Sequence, residues 1–224
     1  MNMLPEPSAA LWLVLLGGWM AVDGTSVGQF MVSRPLVAAT LAGWVAGDPV
    51  AGLAVGVVLE LFHLAVLPVG AARYPEGGPA AVVAGSLYSA AEALPGSLLM
   101  AVSFALAWEW VGGETLRVMR QINVRVVAGP AGTDRADHLQ LRHFAAILLD
   151  FFRGMLVVGT GLLVLSTLLM VSARHWNEDP RIAQVAIAAA AAGLLAATIG
   201  IFPGRRKIFL AGMAAGLLFV LVRG

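Results

Sequence analysis

Apolar residues run through this chain in long blocks, at about 9–22, 35–46, 50–69, 78–111, 143–172, 183–202 and 208–222. None of the blocks alternates apolar with polar residues at period two, so they predict helices rather than barrel strands. A helix needs roughly 20 apolar residues to cross a hydrocarbon core, and several of these blocks are shorter or interrupted. Gly47-Asp48-Pro49, Pro68-Val69-Gly70 and Pro95-Gly96 are the interruptions. Broken helices and re-entrant hairpins survive at membrane depth only when protein buries them or when they line a cavity. The pattern therefore predicts an all-α integral membrane protein, a polytopic helical bundle with broken or re-entrant helices. Gly43…Gly47 and Gly52…Gly56 add small residues at helix-packing spacing, which predicts close backbone approach within 35–70.

Composition agrees with the pattern and narrows the function. Of the 224 residues, 59% are hydrophobic and 12% charged, too little polar surface to coat a soluble globule. A net charge of +1 excludes a nucleic-acid surface, and the lack of cysteine excludes thiolate chemistry, disulfides and cysteine-ligated metal. Met1-Asn2-Met3-Leu4-Pro5-Glu6 lacks a basic region before the first apolar block, so that block reads as an uncleaved span. The whole chain, 1–224, reads as one membrane domain. It divides into a core with broken helices over 1–111, a loop over 112–142 and C-terminal helices over 143–224.

Basic residues set the expected orientation. Arg117, Arg120, Arg125, Arg135 and Arg142 place the loop on the cytoplasmic side, as Arg205-Arg206-Lys207 does for the last turn, and Ser172–Arg181 falls outside. Leu139, Phe144 and Ile147 are spaced for an interfacial helix face with Arg142 and His143 at headgroup level, beside the plainer reading of a positive-inside loop.

Two ionisable residues interrupt the block Val57-Val-Leu-Glu60-Leu-Phe-His63-Leu. A carboxylate at the bilayer centre costs roughly 2.5–3.5 kcal/mol on insertion scales, so Glu60 must face a cavity or a partner. His63, three residues on, shares its helical face and is placed to meet Glu60 or the same ligand. Three readings compete. In a structural pair, Glu60 caps a broken helix. A metal site would need a second Glu-x-x-His copy that the chain lacks. A polar solute site has the most support, because a carboxylate in a pocket of low dielectric accepts paired hydroxyl hydrogen bonds. No nucleophile, phosphate-loop or zinc-protease motif is complete, and neither a cofactor nor a metal is expected. The other charges read as structural. Asp150 and Arg153 form a local i, i+3 pair, Glu109 between Trp108 and Trp110 lies near the interface, and Glu92 sits in a turn before Pro95.

The stretch Asp23-Gly-Thr-Ser-Val-Gly-Gln29-Phe-Met-Val-Ser-Arg34-Pro35, then Gly43 to Asp48, then Gly52 to Glu60, then Pro68-Val-Gly70-Ala-Ala, carries a further signal. In order and spacing it resembles the membrane subunit IIC of the mannose/sorbose-type phosphoenolpyruvate-dependent sugar phosphotransferase system, specifically over about residues 9–90. The resemblance is weaker through Arg120-Gln-Ile-Asn-Val and Asp150-Phe-Phe-Arg153. It implies a non-catalytic translocating subunit of the bacterial cytoplasmic (inner) membrane. Such a subunit assembles as a homo- and hetero-oligomer with a IID-type membrane subunit. It presents a hexose-like sugar to a cytoplasmic IIB protein recharged by IIA, with a mobile core moving as an elevator.

Carried onto this chain, the resemblance makes Gln29, Arg34 and Glu60 sugar-pocket or pocket-supporting positions, with Asp23, His63 and Glu76 beside them. Arg34, just before a proline suited to a first helical turn, is expected to neutralise a buried carboxylate such as Asp23 or Asp48. The chain departs from the family pattern at Tyr74-Pro75-Glu76, where many members carry a Pro-Pro-Asp-like signature, and at His63, where an apolar or aromatic residue is expected. Pro203-Gly-Arg-Arg-Lys207 replaces part of an apolar hairpin. These departures leave open an alternative, an orphan scaffold or regulator of the same fold without phosphotransfer.

Overall fold

The computed structural model describes residues 5–64, 74–91, 95–128 and 136–172, with isolated positions at 188 and 192–193. Six helices make up the described chain: α1 Pro7–Thr25, α2 Pro35–Ala46, α3 Pro49–His63, α4 Gly77–Ala90, α5 Pro95–Ala128 and α6 Ala136–Ser172. The expected all-α bundle is what the chain forms. α1, α5 and α6 contain the stretches long and apolar enough to cross a membrane, Pro7–Thr25, Gly96–Val126 and Leu139–Val171.

α2 and α3 are the broken pair. With 12 and 15 residues they reach about 18 and 22 Å at 1.5 Å per residue, short of a hydrocarbon core of about 30 Å. Proline opens each helix, Pro35 and Pro49, where its missing N–H costs no hydrogen bond. Gly47 ends α2 at φ +100, a left-handed cap that favours glycine, and Asp48 caps α3 by accepting from the N–H groups of Val50 and Ala51, both at 3.0 Å. The two helices fold back on each other so tightly that a Cβ on Gly52 would stand 2.4 Å from the Ala39 carbonyl oxygen and 2.8 Å from the Gly43 Cα. Gly56 meets Leu36 in the same way. Of the four glycines read as packing residues, three pack; Gly47 serves the turn instead, and a Cβ there would meet nothing.

α4 is the centre. From Gly78 to Ser89 it is buried on every side, consistent with a sequence of small and apolar residues all round. It touches α1, α2, α3, α5 and α6. Gly85 lets it approach α2 at Ala39, and Gly17, Gly18 and Gly154 let α1 meet α6. Trp108 ties α5 to α6 by donating from its indole Nε1 to the Val157 carbonyl at 3.0 Å.

Two expectations change. Residues 112–128 continue α5 as helix where a loop was expected, and residues 139–147 are the first turns of the 37-residue α6 rather than a separate interfacial helix. Arginine, glutamate and glutamine are good helix formers, and their polarity was mistaken for a loop. The block 78–111 divides at Pro95, as its Pro-Gly interruption indicated. Glu92, the loop centre 129–135, the outer connection and the spans placed at 183–202 and 208–222 lie outside the described residues.

Candidate functional site

Charged side chains collect where the helices break. The C-terminal end of α1, the connection 26–34, the ends of α2 and α3, the extended segment 74–76 and the middle of α5 and α6 converge there. Arg153 on α6 is the largest knot. Its Nη2 and Nη1 donate to the two Glu76 oxygens at 2.5 and 2.6 Å, its Nε donates to Asp150 Oδ1 at 2.8 Å, and Nη1 also reaches Thr115 Oγ1 at 3.0 Å. All three ionic groups are buried, so the bidentate geometry and the added hydroxyl replace the lost hydration of the guanidinium. Glycine makes room for it: a Cβ on Gly112 would lie 2.9 Å from Glu76 Oε2.

Asp150 continues the network toward the connection. Its Oδ2 accepts from Thr25 Oγ1 at 2.7 Å and from Ser26 Oγ at 2.5 Å. Asp23, two residues before Thr25 on α1, holds the far part of the same connection, its Oδ1 accepting from Phe30 N–H at 2.7 Å and its Oδ2 from Ser33 N–H at 2.8 Å. Between these anchors the backbone is strained. Gln29 has φ +50 and Met31 φ +66, left-handed conformations that cost side-chain-bearing residues on the order of 1–3 kcal/mol each.

The Glu60–His63 pair is divided between two partners. Glu60 Oε1 accepts from Arg34 Nε at 2.7 Å and from Arg34 Nη2, while Oε2 accepts from the Leu36 N–H at 3.2 Å in the first turn of α2. Arg34 therefore pairs with Glu60, rather than with Asp23, which is committed to backbone N–H groups, or with Asp48, which caps α3. His63 turns away to Glu109 on α5, Nε2 to Oε2 at 2.6 Å, with both side chains buried. A Cβ on Gly77 would strike the His63 ring at 2.4 Å, so glycine opens α4 where the imidazole lies. Glu109 is thus a buried partner of His63, and its carbonyl also accepts from Glu76 N–H at 2.8 Å. Glu76 is itself committed to Arg153.

A cavity of about 530 Å³ opens between the connection and α5, within the 300–1,000 Å³ usual for small-molecule sites. Ser26, Gln29, Met31, Ser33 and Arg34 line one side, and Leu116, Met119, Arg120 and Asn123 the other. Tyr74 joins the wall beneath Arg120, whose guanidinium carbon lies 5.4 Å from its ring centroid. A smaller recess of about 80 Å³ reaches His63 and Glu76. Of the six residues singled out in the sequence, Asp23, Gln29 and Arg34 border the larger cavity and His63, Glu76 and again Arg34 the smaller. Glu60 reaches the site through Arg34. Sequence reasoning missed Thr25, Ser26, Tyr74, Arg120, Asn123 and the wider role of Asp150 and Arg153. Two opposite charges inside one apolar block were the available signal for the last two.

Fold and site together define a multi-pass membrane protein whose polar groups are gathered at broken helices. The model of the family described as "PTS system sorbose-specific iic component" matches residues 8–197, and the chain belongs to that family. Curated relatives match over shorter stretches. The sorbose-specific EIIC component of Lacticaseibacillus casei is 31% identical over 34% of this chain and 28% of its own length. The mannose-specific EIIC component of Escherichia coli K12 is 31% identical over 42% and 36%, and the sorbose-specific EIIC component of Klebsiella pneumoniae 30% over 53% and 43%. Each match spans less than half of the relative. A solved structure described as "Structure of membrane protein" superposes with a TM-score of 0.74 over 98% of this chain and 92% of its own, at 19% identity, which establishes a shared fold.

Proposed function

We propose that this chain is the sugar-translocating IIC permease subunit of a mannose/sorbose-type phosphotransferase system. On this reading it lies in the bacterial cytoplasmic membrane, assembled with a IID-type subunit. It carries a hexose-like sugar to a IIB protein that is phosphorylated through IIA. The observation that supports this most is the 530 Å³ cavity at the broken helices, lined by hydroxyl, carboxamide and guanidinium groups of the connection and of α5. Such a wall suits a neutral polyhydroxylated solute, because Gln29 and Asn123 both donate and accept while Ser26 and Ser33 adapt their hydroxyls. Arg120 over Tyr74 gives a flat, amphipathic patch for a sugar face.

The chain itself supplies translocation and no bond-making step. Glu60 and Arg34 neutralise one another at the junction of α2 and α3, and Arg153 neutralises Glu76, so these charges are satisfied without a ligand. The experiment is vectorial phosphorylation. Vesicles containing this chain with its IID-type partner, given phosphorylated IIB, are expected to accumulate phosphorylated D-mannose or L-sorbose from the opposite face. Assembled vesicles that phosphorylate no hexose or ketohexose would move the weight to the scaffold reading.

A further inference from the structure

Asp23 borders the cavity, yet it is 1% exposed and its two carboxylate oxygens are committed to the N–H groups of Phe30 and Ser33. The segment it holds contains the two side-chain-bearing residues with positive φ among the described residues, Gln29 and Met31, and both line the cavity. Phe30 between them is 76% exposed, so packing of its ring does not hold the segment in place. Backbone in a sparsely populated region persists only when its surroundings over-determine it. Here the side-chain contacts come from two carboxylates at opposite ends, Asp23 on the Phe30 and Ser33 amides and Asp150 on the Thr25 and Ser26 hydroxyls, beside one backbone bond from Arg34 N–H to the Met31 carbonyl at 3.2 Å.

We propose that Asp23 is the positioning residue of this cavity: it clamps 28–33 in its strained form so that Gln29 and Met31 face the ligand, and it makes no ligand contact of its own. This rests on the sugar-site reading for the ligand, while the clamp itself does not. A carboxylate is required because both amides need acceptors at once. An asparagine offers one oxygen and a donor that would face the second N–H. Asp150 is the second anchor. Because it also binds Arg153, the clamp communicates with Glu76 ahead of α4 and Thr115 on α5. The shape of the ligand wall is thereby tied to the packing of α1, α4, α5 and α6.

The chain has no cysteine, so a spin label on Phe30→Cys reports this segment alone. Asp23→Asn is expected to sharpen the label's spectrum, showing faster motion, and to weaken D-mannose or L-sorbose binding at least tenfold. Adding Gln29→Gly and Met31→Gly removes the backbone strain, because glycine accepts positive φ freely. In that background no strain is left to be released, so Asp23→Asn is expected to lower the unfolding temperature at least as much as it does alone. Weakened binding with an unchanged spectrum would overturn the proposal by making Asp23 a direct ligand contact. A loosened segment with unchanged affinity would overturn it by separating the clamp from the site. If the wild type binds neither sugar while Asp23→Asn still loosens the segment, the sugar reading fails and the clamp stands. Should Asp23→Asn fail to fold, Ser26→Ala with Thr25→Val tests the opposite anchor by the same label; no loosening there would overturn the two-ended clamp.

Discussion

The hairpin α2–α3 and the seam around Arg153 are neighbours on α4, but opposite means hold them together. In the hairpin, glycines at 43, 52 and 56 bring backbone against backbone, with charged side chains only at the turn and at the open end. In the seam, Arg153, Glu76 and Asp150 meet through charged side chains; Gly112 makes room for Glu76, and Gly154 beside them lets α6 approach α1. Without water, apolar burial distinguishes poorly between one helix arrangement and another, because lipid is as apolar as the protein. Shape fixes the first region and charge pairing the second. The cavity lies at the seam, since polar groups that must be satisfied in the resting state are also groups that a polar solute can meet.

Five substitutions, two of them combined, sharpen this contrast. Arg153→Leu leaves Glu76 and Asp150 buried without their cation and is expected to cost about 3–5 kcal/mol. In detergent, thermal unfolding should show little folded protein; a near-native transition would show that the seam is not held by charge. Gly52→Val places a Cβ against the Ala39 carbonyl and is expected to cost about 1–3 kcal/mol by overpacking, read in the same assay. A near-native transition for Gly52→Val would remove the shape argument. His63→Phe alone leaves Glu109 unpaired and should destabilise, whereas His63→Phe with Glu109→Leu should recover most of the loss, since a well-packed apolar pair often replaces a buried ionic one. A double variant as unstable as the single one would give the pair a role that packing cannot replace. Glu114→Gln breaks a half-exposed i, i+3 pair with Arg117 and should change stability by less than about 1 kcal/mol.

Much of the fold was legible. The block 35–46 coincides with α2, and the Asp48-Pro49 interruption gave the α2–α3 turn, because proline and an Asx cap act locally. α5 beyond residue 111 was not legible, since a helix that continues with Arg117, Arg120 and Arg125 resembles a loop when only hydropathy is followed. For the site, Asp23, Gln29, Arg34, His63 and Glu76 border the two cavities and Glu60 joins them through Arg34, but the pairing of these residues was not legible. Arg34 and Glu60 are 26 residues apart, His63 and Glu109 are 46, and Glu76 and Arg153 are 77, separations set by tertiary packing alone. The i, i+3 spacing of Glu60 and His63 gave a shared face, yet α2 claims one side chain and α5 the other.

The cavity between the connection and α5 is most directly tested by ligand protection of a single cysteine. Ser33→Cys lies on the cavity wall and Glu6→Cys at the exposed start of α1, both in a chain otherwise free of cysteine. In vesicles that phosphorylate sugar, D-mannose or L-sorbose is expected to slow thiol labelling at position 33 several-fold and to leave position 6 unchanged. Active vesicles in which sugar leaves both rates unchanged would place the translocated solute elsewhere and contradict this assignment.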